Sequence, residues 1–381
     1  MKDHPETNAA LSTAAGRLES LDVLRGFAMF LLRDCGLVAV LAMFCGMTDI
    51  TTFEHHAAWA GCNFHDIIAP LFIFAAGASF PLSLAKSRAK GMTEWAIFRK
   101  ALRRFALLFL VGLFESLYRF PQVEGFPPFG TLQLIALSVF GASLVYMLVR
   151  PRWRLVAAMG VFGLMTFVHC CIVAPGAPAG ATAYSPEGNV IQWLHRALYM
   201  SSFIDGRVNG VLVDSAGPFN APNAAVLSLL GMFAVDVISA DGMRTSWRKA
   251  LRLLGCSATC ALGAFILSLF LPPVKNIWTS TFVLLTATVA YALFALFYWV
   301  VDVLEWRKWA FFFKLFGMNV IVIYLVREFI DFRYTYNLTF GLAAKFFPGL
   351  WGNLYATLSW LFMEWALLYF LYRKKIFVKI G

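Results

Sequence analysis

The chain has 381 residues, of which 60% are hydrophobic and only 14% charged, with a mean hydropathy of +0.71. Soluble domains carry roughly 25% charged residues, so the composition excludes a soluble globular protein and points to a bilayer. A net charge of +11 would suit nucleic acid, but the basic residues sit in short segments between apolar runs. The positive-inside rule accounts for that pattern, and no nucleic-acid partner is expected.

The first sixteen residues are polar and lack an apolar core, so a cleavable signal peptide is not expected there. Apolar runs then predict ten membrane spans, over 23–45, 64–85, 102–118, 131–149, 155–174, 223–239, 251–271, 279–302, 309–330 and 354–372. These runs lack the period of two that a barrel requires. The expected fold is therefore an all-α polytopic membrane protein. Its parts would be a disordered N-terminus over 1–16, one transmembrane domain over 17–375 and a tail over 376–381. Basic residues fill alternate connections: Lys86 to Arg104, Arg150 to Arg154, Arg244 to Arg252, Arg307 with Lys308, and Arg373 to Lys379. Both termini are thereby expected in the cytoplasm (N-in, C-in), which puts His55 and His56 on the far face. The long connection 175–222 falls on that far face too, and a short amphipathic helix is predicted within it, from Val190 to Tyr199. A connection of that length is a lid, a binding segment or disorder.

Chemistry-bearing residues are densest between Glu54 and Asp66, where three of the six histidines and two carboxylates occur just before the second span. Titratable groups at a membrane boundary are costly to place, which makes them candidate functional groups. An interfacial loop whose histidines reach to water would look the same by residue type. Polar residues also interrupt the first span (Arg33, Asp34) and the ninth (Lys314, Asn319). The seven cysteines contain no C-x-x-C and read as small apolar fillers, so neither a metal site nor a disulfide framework is expected. No glycine-rich phosphate loop and no H-E-x-x-H occurs.

Four stretches together carry a resemblance. They are Arg17-Leu-Glu-Ser20-Leu-Asp22-Val-Leu-Arg25-Gly26, His56-x-x-Trp59-x-Gly61-x-x-x-x-Asp66-x-x-x-Pro70, Pro273-Val-Lys275-Asn276-Ile-Trp278-Thr-Ser-Thr-Phe282, and Gly317-Met318-Asn319-Val-Ile-Val-Ile-Tyr324. In this order the chain resembles the transmembrane acetyltransferases typified by heparan-α-glucosaminide N-acetyltransferase, and most closely the bacterial branch associated with amino-sugar use. The resemblance implies a multi-pass inner-membrane enzyme that takes the acetyl group of cytosolic acetyl-CoA to an amino sugar on the periplasmic side. It further implies that His56 is the catalytic histidine, that Asp66 shares its site, and that Asp34 lines that site. Trp59, Lys275, Asn276, Trp278 and Asn319 become candidate substrate-binding residues, and Arg25, Arg99 and Arg103 candidate contacts for the CoA phosphates. A homodimer is a further candidate assembly. The chain departs from the family pattern at Ala60 and at Phe219-Asn220-Ala221-Pro222-Asn223, which touches the identity of the acceptor more than the chemistry.

These residue types suit acetyl transfer. An imidazole can remove the amine proton or accept the acetyl group itself. A carboxylate can orient the ring, so Asp66 is expected to pair with His56. Asn276 and Asn319 can donate to a developing oxyanion. The donor's phosphates must stay near cytosolic cations while its thiol end enters a core about 30 Å thick, which calls for a site recessed from the far face. A sugar permease is the competing reading. It fits the buried polar groups, but the prolines of the second span, Pro70 and Pro81, have no counterpart in the second half.

Overall fold

The computed structural model describes residues 18–47, 53, 55–119, 129–198, 206–240, 245–329 and 332–378. The N-terminal segment expected to be disordered lies outside these residues, as does the side chain of Asp34. Each of the ten expected spans falls on helix. In chain order these are α1 (Glu19–Phe44), α2 (Ile68–Ala89, entered through a 3-10 turn Phe64–Ile67), α3 (Glu94–Arg119), α4 (Thr131–Leu148) and α5 (Pro151–Cys171). After the long connection that follows α5, which holds α6 (Val190–Leu198) and the hairpin β1 (Gly206–Val208) and β2 (Val211–Val213), come α7 (Ala221–Ser239), α8 (Trp247–Ser268) and α9 (Ser280–Phe297). The last spans are the pair α10 (Ala310–Met318) and α11 (Val320–Phe329), then α14 (Gly349–Arg373), with α12 (Phe332–Thr339) and α13 (Gly341–Ala344) between them.

Seven of these helices are long and apolar enough to cross a membrane, and eight when the two halves of α1 are taken as one span. The other two expected spans differ for physical reasons. The first half of α3 carries Arg99, Lys100, Arg103 and Arg104, and the ninth span is two short helices broken at Asn319. The predicted amphipathic helix is present as α6.

Lipid is as apolar as leucine, so membrane helices associate by close packing rather than by escape from water. Two reciprocal glycine pairs make this possible here. A Cβ on Gly26 of α1 would overlap the Phe313 carbonyl of α10, and one on Gly317 of α10 would overlap the Asp22 carbonyl of α1. Likewise Gly77 of α2 abuts the Ser228 carbonyl of α7, and Gly231 of α7 abuts the Phe74 carbonyl of α2. Around these crossings lies a shared core in which Phe74, Trp278, Phe282, Phe294 and Tyr298 are buried. Tyr291 fixes α9 to α7 with a 2.7 Å hydrogen bond from its hydroxyl to the Leu230 carbonyl. The large apolar residues that remain exposed, such as Leu155, Met159 and Leu164 on α5, form the lipid-facing side expected of a spanning helix.

Candidate active site

Asp66 occupies the third position of the 3-10 turn that opens the second span, and its carboxylate turns back on the chain that precedes it. One oxygen, Oδ2, accepts the backbone N–H of Asn63 at 2.8 Å and that of Ala57 at 3.1 Å. The reach-back to Asn63 is the half of a capping box that a carboxylate supplies. The other oxygen, Oδ1, lies 2.7 Å from Nδ1 of His56. A carboxylate of this kind can only accept, so Nδ1 carries the proton and Nε2 is the ring nitrogen with a lone pair. Asp66 is fully buried, whereas half of the His56 side chain is open to solvent. The ten-residue spacing thus closes a loop whose acid is walled in and whose ring is reachable from outside.

A second segment completes the cluster. Ala60 forms an isolated antiparallel bridge with Val274, and the Gly61 N–H donates to the Pro273 carbonyl at 2.8 Å. Gly61 has φ +118°, a conformation strained for any residue with a Cβ, which explains glycine there. The bridge delivers Lys275, whose Nζ stands 2.9 Å from both His56 ring nitrogens and 3.5 Å from Asp66 Oδ1. Equal separations put the ammonium over the N–C–N edge of the ring face.

The loop that carries Lys275 is tied from every side. Thr279 Oγ1 accepts the N–H of Val274 at 2.9 Å and that of Phe282 at 3.3 Å, and it donates to the Pro272 carbonyl at 3.1 Å. The Asn276 carbonyl accepts from Gln192 Nε2 at 2.8 Å and from Asn220 Nδ2 at 3.2 Å. Trp278 is buried at φ +49°, and its carbonyl accepts Asn223 Nδ2 at 2.7 Å while its indole N–H donates to Ser215 at 3.1 Å. The Asn220–Asn223 segment, visible in the sequence only as a departure from a family pattern, therefore clamps this loop. Trp59 donates its indole N–H to the Tyr184 carbonyl at 2.9 Å, so the connection that carries α6 is fastened to the His56 segment as well.

The structure therefore gathers His56, Trp59, Asp66, Lys275, Asn276 and Trp278 at one end of the bundle, with the Asn276 side chain 3.5 Å from the Ala58 carbonyl. It adds His65, whose ring meets that of His56 edge to face at 4.5 Å between centroids. Residue type offered no reason to prefer His65, and the contact appears only once the turn is built. Cys62 lies beside the cluster as well, and burial, aided by the charge of Asp66, pushes its thiol up to about 12. It stays a neutral thiol there.

Asn319 is placed elsewhere. It donates to the Ile376 carbonyl at 3.1 Å and accepts the Val378 N–H at 3.0 Å, which pins the tail that follows α14. Among the described residues no hydrogen bond joins it to the His56 cluster. Of the arginines, Arg25 pairs with Asp22, whereas Arg99 and Arg103 stand exposed on α3. Among the described residues no group of His, Cys, Asp and Glu could hold a metal ion.

Residues 17–178 match the family model described as heparan-alpha-glucosaminide N-acetyltransferase, catalytic. The heparan-alpha-glucosaminide N-acetyltransferase of Homo sapiens is 24% identical over 434 aligned residues, which take in 97% of this chain and 61% of the human protein. That of Mus musculus is 23% identical, over 99% of this chain and 62% of its own length. The chain spans about three-fifths of the length of these curated relatives. The similarity read from the four motifs is thus found again along nearly the whole chain, and the His56–Asp66 turn lies inside the matched catalytic region.

Proposed function

We propose that this chain is a membrane acetyltransferase that moves the acetyl group of acetyl-CoA, drawn from the cytoplasmic side, to an amino sugar at the periplasmic face of a bacterial inner membrane. The observation that carries the proposal is the His56–Asp66–Lys275 cluster. Asp66 holds the ring through Nδ1, the other nitrogen remains for proton or acyl transfer, and a cation faces the ring at 2.9 Å.

In the direct route, Nε2 of His56 takes the proton of the acceptor amine as the amine attacks the thioester carbon. Negative charge gathers on the carbonyl oxygen beside Lys275, the carbon–sulfur bond breaks, and the proton passes to the departing CoA sulfur. In the two-step route, Nε2 itself attacks the thioester carbon and CoA thiolate leaves. The amine then takes the acetyl group from the ring and gives up its proton. Both routes use the same atoms, and they differ only in whether acetyl rests on His56.

The basic residues of alternate connections support a reading with both termini in the cytoplasm and the half-exposed His56 on the face where the acceptor arrives. Supply of acetyl-CoA and glucosamine to opposite faces of proteoliposomes tests the proposal. N-acetylated sugar on the acceptor side is expected. Glucosamine that crosses the membrane unmodified, with acetyl-CoA neither bound nor consumed, would replace the enzyme by a permease.

A further inference from the structure

A cleft opens between α2, α3 and α4, away from the residues gathered around His56. Its walls are apolar along most of their length, but Lys100, Arg104 and the hydroxyl-bearing Ser83, Ser87 and Ser143 also line it. No carboxylate lines the cleft. From Ile97 to Leu108 along α3, at 1.5 Å per residue, the cleft runs roughly 16 Å into the bundle.

Among the described residues that line the cleft, none is a carboxylate that could neutralise its cationic end. Arg104 Nε is shielded from solvent and has no hydrogen-bond partner among the described residues. The charge nearest to it in kind is another cation, since Arg25 lies within electrostatic reach of Arg104. Arg25 is itself engaged by Asp22. A guanidinium in such a place is costly unless an anion meets it, and guanidinium is the side chain best matched to phosphate oxygens. The narrow apolar depth beyond Arg104 fits a ligand whose phosphate continues into an extended, weakly polar arm.

We propose that this cleft binds the phosphorylated end of CoA, with Arg104 and Lys100 on the phosphate oxygens and the pantetheine arm laid along α3 toward the far face. The assignment rests on the acetyltransferase reading and gives its donor a location. It also moves the phosphate contacts from Arg99 and Arg103 to their neighbours Lys100 and Arg104, which the helical turn points into the cleft.

The test is binding of CoA and of adenosine 3′,5′-bisphosphate to the full chain in nanodiscs, for the wild type, Arg104→Gln, Ser83→Phe and the exposed control Arg152→Gln. Arg104→Gln is expected to weaken both ligands about tenfold or more, Ser83→Phe to block CoA by filling the cleft, and Arg152→Gln to bind as the wild type does. Wild-type affinity for CoA in both folded cleft variants would overturn the site and leave the acetyltransferase reading standing. A phospholipid retained by the wild type and lost from Arg104→Gln, with CoA binding unchanged, would assign the cleft to a lipid and overturn the proposal. Failure of the wild type to bind CoA at all would overturn the functional reading and this site with it. Should Arg104→Gln not fold, Ser83→Phe decides the matter alone.

Discussion

Lys275 and His56 stand 219 positions apart in the chain, yet the lysine ammonium rests 2.9 Å from each ring nitrogen. The chain makes this contact through backbone pairing between the Gly61 and Pro273 segments rather than through the side chains alone. Replacement of Lys275 by Met should therefore leave the loop in place and remove only the charge. Acetyl transfer should slow by roughly 10²-fold or more, the scale of one lost oxyanion contact, while Lys275→Arg recovers part of the rate. Steady-state rates beside CoA affinity would decide it, and a Met variant near wild-type rate would discard an electrostatic role for Lys275.

His56→Ala should abolish transfer and leave CoA binding intact. His55→Ala should retain most activity, since the His55 carbonyl rather than its ring is engaged, by Asn63 Nδ2 at 2.9 Å. Rapid quench with labelled acetyl-CoA and no acceptor, followed by peptide mapping, separates the two chemical routes. Label on the His56 peptide means the two-step route, and product formation with no labelled peptide at any time means the direct one.

Asp66→Asn and Asp66→Ala should fail differently. The amide keeps an acceptor for the Asn63 and Ala57 N–H groups but loses the charge that orients the ring, so rate should fall by about 10²- to 10⁴-fold with little change in melting. Alanine leaves both N–H groups without their acceptor, and about 1–3 kcal/mol of local stability should go as well. Thermal melting beside activity distinguishes the two, and equal melting losses would show that the carboxylate is not the clamp of this turn.

Gly77→Leu should prevent α2 from meeting α7, because the added side chain would enter the space of the Ser228 backbone. Loss of folded protein on size-exclusion chromatography is expected, whereas Gly160→Leu, which meets nothing on α5, should be tolerated. Normal behaviour of Gly77→Leu would refute the close crossing.

The connection that carries α6 should be acid-sensitive. Burial, aided by neighbouring Arg196, holds His195 down to about 4 against a hydrogen bond at the Asp214 backbone, and its ring stacks on Phe219 at 5.4 Å. Folded His195 is thus neutral while the unfolded chain takes up a proton below roughly pH 6.5. Its contribution should be complete above that pH and decline as pH falls toward 4, with a ceiling of roughly 3 kcal/mol. His195→Gln should flatten the fall in melting temperature between those limits, and an unchanged slope would rule His195 out as its origin.

The sequence shows some of this directly and hides the rest for identifiable reasons. Helices are legible because an apolar run long enough to cross lipid has few other uses; all ten expected positions are helical, and among the described residues seven or eight helices are long and apolar enough to cross a membrane. The His56–Asp66 pair is legible because it closes within one turn, where spacing decides geometry. The contact with Lys275 needs a bridge between Ala60 and Val274, and no local pattern announces a single pair of backbone hydrogen bonds. Arg103 and Arg104 are equally basic in the sequence, one residue turns a helix by about 100°, and only packing shows that the Nε of Arg104 is shielded from solvent. Asn319 is a polar residue in an apolar run, and no local pattern shows that its side chain meets the tail at Ile376 and Val378.

The unequal shielding of His56 and Asp66 has a kinetic consequence under the proposed chemistry. The carboxylate is sealed in protein while half of the His56 side chain faces water. Closed sites keep water away from activated acyl groups, and this one keeps a door ajar. With no acceptor at hand, solvent itself becomes a competing nucleophile, and the enzyme should turn over acetyl-CoA slowly to acetate. That idle hydrolysis, suppressed when the acceptor takes water's place, follows from a ring left half open to solvent.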